Sequence, residues 1–150
     1  GLKAYAVRYV GVETRPKVAV HQYTQNAWSQ LGDDILTTDK SLDIYDTNLS
    51  LSELGTKLAI SKYREGSGYI FTYVYDSSSY PPKWIQYGST IEISGGQRKP
   101  GFSVALSGDG NRIVIGSPGT ASSLGEVYVY NYNTSSGWVK KNQDLWTLTS

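Results

Sequence analysis

The residues that could do chemistry in this chain are few. It has one histidine (His21), no cysteine, and an acidic stretch in which Asp33, Asp34, Asp39, Asp43 and Asp46 fall close together. Paired carboxylates can hydrolyse a glycosidic bond, one as acid and one as nucleophile or base. A denser group can hold a calcium ion, which takes about six to eight oxygens. A histidine beside a serine and a carboxylate can activate a nucleophile. Here His21 sits inside KVAVHQY, a strand-like run, and no G-x-S-x-G elbow accompanies the many serines. A histidine in such a run is a structural residue. The aspartates lie in a long segment between repeated elements, where solvated acids are ordinary loop content. The expectation is a protein that is not an enzyme, with no catalytic residue, no metal ligand and no cofactor.

The run SGDGNRIVIGSPG, residues 107–119, asks the same question in another form. Glycines around Asp109 could cradle a phosphate or present a cation ligand. Phosphate loops lead into a helix N-terminus, however, and this one leads into RIVIG, a strand-like run. In the corresponding stretch, SELGTKLAIS, Gly55 stands where Gly110 does, but Leu54 replaces Asp109. A ligand loop would not lose its ligand, so the tripeptide reads as a tight turn that needs positive φ.

That correspondence belongs to a repeat spanning most of the chain. WIQYGSTI from Trp84 matches WSQLGDDI from Trp28 at a spacing of 56, and Trp138 follows 54 residues later. LSLSELGTKLAIS from Leu49 matches VALSGDGNRIVIG from Val104, aligning Ser52 with Ser107 and Lys57 with Arg112. Each core leads to an aromatic strand, GYIFTYVY or GEVYVYNY. At the N-terminus, GLKAYAV aligns with GTKLAIS, and KVAVHQYTQNAW takes the place of EVYVYNYNTSSGW. The units are residues 28–83 and 84–137, preceded by the end of one unit (1–27) and followed by the start of another (138–150). Trp28, Trp84, Trp138, Gly55 and Gly110 recur as packing anchors.

The elements that must carry these residues are strands. VYVYNY and IFTYVY alternate with valine or aromatic residues, the composition of a pleated surface. RIVIGSP is apolar on both faces and reads as an inner strand covered on each side. Four strands per unit follow, in the second unit at about 84–93, 102–108, 112–117 and 125–132. A helix over the leucines at 51, 54 and 58 is opposed by Gly55 and by the Gly108–Gly110 turn at the equivalent place.

The whole chain agrees with this reading. Its 150 residues, 39% hydrophobic and 13% aromatic, suffice for a core. Fourteen basic against 13 acidic residues leave a charge of +1, which excludes a broad footprint for nucleic acid, and no membrane-inserting segment is visible.

GFSVALSGDGNRIVIGSP followed by GEVYVYNY resembles the FG-GAP repeat of integrin α-subunit heads and related β-propellers. Gly101, Phe102 and Ser103 stand near the phenylalanine-glycine signature, and Gly116, Ser117 and Pro118 stand in the place of Gly-Ala-Pro. The W-x-Q-x-G form is similar to repeats in large extracellular and virus-encoded proteins. The resemblance implies an all-β fold of antiparallel four-stranded units arranged as propeller blades, here two full blades plus fragments. Calcium-binding members carry a D-x-D-x-D-G loop; SGDGN has one carboxylate, so calcium is not carried over.

Fewer than three units cannot close a propeller, which implies that the chain is a segment of a larger polypeptide or is completed by other subunits. The expected function is a structural or adhesive scaffold for protein–protein interaction, extracellular or on a virion surface. The alternative is a carbohydrate-binding module, for which the non-repeating aromatics Tyr45, Tyr80 and Trp146 are the candidates. Two sequons, at Asn48 and Asn133, are candidate glycosylation sites, Asn133 being the better because NYNTSSGW is a polar loop.

Overall fold

The computed structural model describes residues 3–9, 17–36, 47–64, 66–94, 99–120 and 124–141. Among these residues every regular element is a strand, and every strand pairing is antiparallel. The first sheet holds β1 (Lys3–Tyr9), β2 (Lys17–Thr24), β3 (Ala27–Gln30) and β4 (Ile35–Leu36). The second holds β5 (Thr47–Leu51), β6 (Lys57–Arg64), β7 (Ser67–Asp76), β8 (Lys83–Gln86) and β9 (Ile91–Ser94). The third holds β10 (Ser103–Leu106), β11 (Arg112–Ser117), β12 (Glu126–Asn133) and β13 (Gly137–Lys140).

Each sheet is a meander in chain order, β5-β6-β7-β8 and β10-β11-β12-β13. The strand beginning at each repeated tryptophan pairs with the aromatic strand before it: Tyr23 faces Trp28, Tyr75 faces Trp84 and Tyr132 faces Trp138. A unit counted from tryptophan to tryptophan therefore starts with the last strand of the preceding sheet. The outermost strand is broken. β8 pairs with the second half of β7 and β9 with the first half. Between them the Tyr87 amide still reaches the Thr72 carbonyl at 2.9 Å, as Leu31 reaches Val20 at 2.7 Å in the first sheet. Glycine permits the break: Gly32 and Gly88 have φ of +77° and +70°, which other residues adopt only with strain.

Register shows one departure from the sequence alignment. Tyr5 faces His21 as Leu58 faces Tyr73 and Ile113 faces Tyr130. Tyr5, not Ala4, therefore holds the place of Leu58. The register of Lys3–Tyr9 is thus shifted by one residue relative to the alignment of GLKAYAV with GTKLAIS. The stretch 51–58 contains no helix: β5 ends at Leu51, and a turn bends the chain into β6.

Two clusters glue the sheets face to face. Val18, Val20 and Ile35 of the first sheet pack with Leu58, Ile60 and Trp84 of the second. Ala59, Ile70, Ile91 and Ile93 of the second pack with Ile113, Ile115 and Tyr128 of the third. Burying a side chain such as Leu58 or Ile113 contributes about 1.5–3 kcal/mol. β6, lying between two sheets, is buried on both faces from Leu58 to Lys62, as the double-sided apolar pattern implies. β11 has the same pattern but is covered on one face only. Ile113 and Ile115 are fully buried, whereas Val114 is 37% exposed because no described sheet lies beyond it.

Candidate functional site

The repeated residues converge on the junctions between sheets, and W-x-Q-x-G becomes intelligible there. The Trp84 ring lies against Gly32 of the first sheet; a β-carbon at Gly32 would stand 3.0 Å from Trp84 Cδ1. Trp138 repeats the contact on Gly88, where a β-carbon would stand 2.8 Å from Cδ1. Each glycine thus serves two needs, positive φ at the break in the outer strand and a bare surface for the next indole. The glutamine spans the same break: Gln30 Nε2 donates to Asp34 Oδ1 at 3.0 Å, and Gln86 Nε2 to Thr90 Oγ1 at 3.3 Å. A tyrosine packs beside each indole, Tyr75–Trp84 at 5.6 Å and Tyr132–Trp138 at 5.2 Å between ring centroids.

The two indole N–H groups are satisfied differently, and one residue explains the difference. Trp84 Nε1 donates directly to the Leu31 carbonyl at 2.7 Å, past Val20. In the next junction Thr72 holds the place of Val20. Trp138 Nε1 donates to Thr72 Oγ1 at 2.9 Å, and that hydroxyl donates on to the Tyr87 carbonyl at 2.5 Å. The hydroxyl is inserted as a relay, so that both the Trp138 indole N–H and the Thr72 hydroxyl are paired. Asp33 also takes part, since its Oδ1 accepts the Trp84 amide at 3.0 Å.

The SGDGN loop is a turn and also a joint. Gly110 has φ of +68°, matching Gly55, and Ser107 Oγ accepts the amides of Asn111 and Arg112 as Ser52 Oγ accepts that of Lys57. Asp109 closes the turn, accepting from Ser107 Oγ at 2.6 Å and from the Asn111 amide at 3.0 Å. These bonds, with the Lys57 charge, hold its carboxyl below the usual range. Lys57 crosses from the second sheet onto this turn, donating to the Asp109 carbonyl at 3.1 Å and Asn111 Oδ1 at 2.7 Å. Its ammonium stands 5.4 Å from the Tyr87 ring centroid. Tyr87 in turn donates to the Gly110 carbonyl at 2.8 Å; its phenol is pushed well above its ordinary value by burial first, then by Tyr132 and Asp109.

At the opposite end of the strands the backbones meet almost directly. A β-carbon on Gly68 would fall 2.2 Å from the Pro100 carbonyl oxygen, so only glycine fits. Ser61 Oγ donates to the Gly101 carbonyl at 2.8 Å, and Asn48 Nδ2 to the Phe102 carbonyl at 2.6 Å. The innermost strands touch as well: the Leu106 amide donates to Ser50 Oγ at 2.9 Å.

Trp84 is 8% exposed and Trp138 is half-buried, as anchors between sheets, but Trp28 is 50% exposed. Trp28 keeps the stacking within its own sheet, 5.3 Å from Tyr23. Gly55 and Gly110 both sit in turns. Tyr80, in the loop between β7 and β8, is fully exposed; Tyr45 and Trp146 lie outside the described residues. Asp39, Asp43 and Asp46 lie outside them too, and among the described residues no three His, Cys, Asp or Glu side chains form a group able to hold a metal. His21 occupies the register of Tyr73 and Tyr130, and its buried Nδ1 has no hydrogen-bond partner among the described residues. Asn48 spends its amide on Phe102. Asn133 is exposed, its Oδ1 accepting the Ser135 amide at 2.8 Å.

Sequence reasoning did not single out Gly32, Gly88 or Gly68, nor assign Lys57 a role. The first two were signalled by W-x-Q-x-G. Gly68 and Lys57 act on residues 32 to 54 positions away in the chain, beyond the reach of any local pattern. The sequence matches no protein-family model, no curated protein and no solved structure.

Proposed function

We propose that this chain is a run of β-propeller blades serving as a non-catalytic scaffold, structural or adhesive, in an extracellular or virion-surface protein. The observation that carries the reading is the repeated junction: Trp84 on Gly32 and Trp138 on Gly88 are the same contact made twice. Units that dock by one rule extend a stack without limit, and their variable loops are free to recognise partners. Trp84, Trp138, Gly32 and Gly88, all at repeat spacing, are engaged in these joints. Imaging of native particles by electron microscopy tests the architecture: a ring of radially stacked sheets is expected, and a flat two-layer sandwich overturns it.

A second reading is a carbohydrate-binding module, favoured by the full exposure of Tyr80. A tyrosine face open to solvent can stack on a sugar ring. A glycan array separates the two, since tight binding that disappears in Tyr80→Ala favours the lectin and absence of binding favours the scaffold.

A further inference from the structure

We infer that the loop between β7 and β8, residues 77–82, is a recognition knob whose Tyr80 ring enters a pocket on a partner protein. The inference rests on the proposed reading of the chain as a scaffold whose loops meet partners, and it names the loop and the class of partner.

Register isolates this loop as an insertion. The same hairpin occurs in each sheet, since Tyr23 faces Trp28, Tyr75 faces Trp84 and Tyr132 faces Trp138. In the first sheet Thr24 pairs with Ala27, so Gln25 and Asn26 suffice to close the hairpin, with φ of +50° and +62°. In the third, Asn133 pairs with Gly137 and three residues, 134–136, intervene. In the second, Asp76 pairs with Lys83 and the connection takes six, 77–82. The flanking strands pair in the same way each time, so the fold does not call for the extra length. In repeat architectures such additions commonly gather on the face that binds.

The added residues are held in place. Asp76 Oδ1 accepts the Ser78 amide at 2.9 Å and the Ser78 hydroxyl at 2.6 Å, and Ser79 Oγ donates to the Asp76 carbonyl at 3.1 Å. The Ser78 bonds hold the Asp76 carboxyl below its ordinary value. Pro81 and Pro82 restrict two more φ angles. Tyr80 is 100% exposed, the most open of the large hydrophobic side chains described, so its ring packs against nothing in its own chain. A tyrosine presented on an ordered loop has the form of an interface anchor: a large contact area, a hydroxyl to pair inside a pocket, and little ordering entropy left to lose. Sites for small molecules are concave, with polar groups converging on the ligand. The Tyr80 loop is the reverse, a projection whose carboxylate, Asp76, is engaged by Ser78, and this favours a protein pocket over a free sugar as its occupant.

Nitration by tetranitromethane, which modifies accessible tyrosines, tests this. In the isolated chain Tyr80 should react ahead of Tyr73, Tyr87 and Tyr130, whose phenols are partly buried and titrate above their ordinary value. In native material its nitration should slow by at least about tenfold, as for a site roughly nine-tenths occupied. Replacing residues 77–82 by Gln-Asn restores the short hairpin of the first sheet. That chain should keep the wild-type circular dichroism spectrum and lose the protein that co-purifies with wild type and shields Tyr80. If it misfolds, Tyr80→Ala, which alters only an exposed ring, takes its place. Equal nitration in native material and in the isolated chain overturns the inference, as does retention of the shielding protein by the shortened loop. Protection by a free oligosaccharide overturns it in favour of the lectin reading. Protection that persists once the chain is stripped of other proteins overturns it too, since its own polypeptide would then cover the ring. None of these results bears on the stacked-sheet architecture, which particle imaging decides separately.

Discussion

Lys57 lies across Gly110: a β-carbon on that glycine would stand 2.4 Å from Lys57 Cδ, and the Lys57 ammonium ends 3.1 Å from the Asp109 carbonyl. One turn in the third sheet thereby serves as the seat for a cation of the second. Gly110→Ala meets both the strain of φ +68° and the lysine stem, and should cost about 1–3 kcal/mol in urea unfolding. Because the lysine end is flexible, Lys57→Ala in the same chain should recover part of that loss. Strict additivity of the two changes would show that the contact is without consequence.

The indole sockets should be less forgiving. Gly88→Ala, at φ +70°, places a methyl 2.8 Å from Trp138 Cδ1 and 3.2 Å from Tyr132 Cε2, and a loss of about 2–4 kcal/mol is expected. Truncation of the tryptophans should follow burial: Trp84→Ala should cost about 3–5 kcal/mol and Trp28→Ala distinctly less. Equal losses would contradict the junction as described.

Thr72→Val converts the relayed junction into the direct one. A crystal structure of the variant should show Trp138 Nε1 on the Tyr87 carbonyl, as Trp84 Nε1 lies on that of Leu31. The stability change should stay within about 1.5 kcal/mol, since one hydroxyl is removed and no buried donor is stranded.

Asp109 sets an acid limit. Its carboxyl is held below the ordinary value of 3.8 by Ser107 and Asn111. A lowered folded-state value means that the turn is stabilised above pH 3.8 and that this contribution disappears as pH falls through the lowered value. Asp109→Asn should flatten that acid limb of the stability profile. At the other extreme, burial raises Tyr73, Tyr87 and Tyr130 above 10.0, so their contribution is complete below pH 10.0 and lost as pH rises through the raised values. Tyr87→Phe should shift alkaline unfolding to higher pH.

Passage through a eukaryotic secretory route should glycosylate Asn133 and leave Asn48 bare. Asn133 is exposed at the end of β12, whereas Asn48 donates its amide to Phe102 across a junction. Peptide mass analysis reads both sites; a glycan on Asn48 would mean that the contact opens.

Much of this architecture is written locally. Alternating valine and tyrosine in EVYVYNYN, glycine at 55 and 110, and the spacing of the tryptophans determine strands, turns and the repeat without reference to distant residues, because period, propensity and positive φ are properties of a short stretch. What tertiary structure alone decided is how the stretches meet. It shifted β1 by one residue, since register depends on the partner strand and not on the strand itself. It assigned each tryptophan strand to the sheet before it, and it divided three similar indoles into two packed between sheets and one half-exposed. Trp28 and Trp84 share the same local W-x-Q-x-G signal; their burial differs because burial is conferred by the neighbouring sheet, and that neighbour is encoded about 50 residues away.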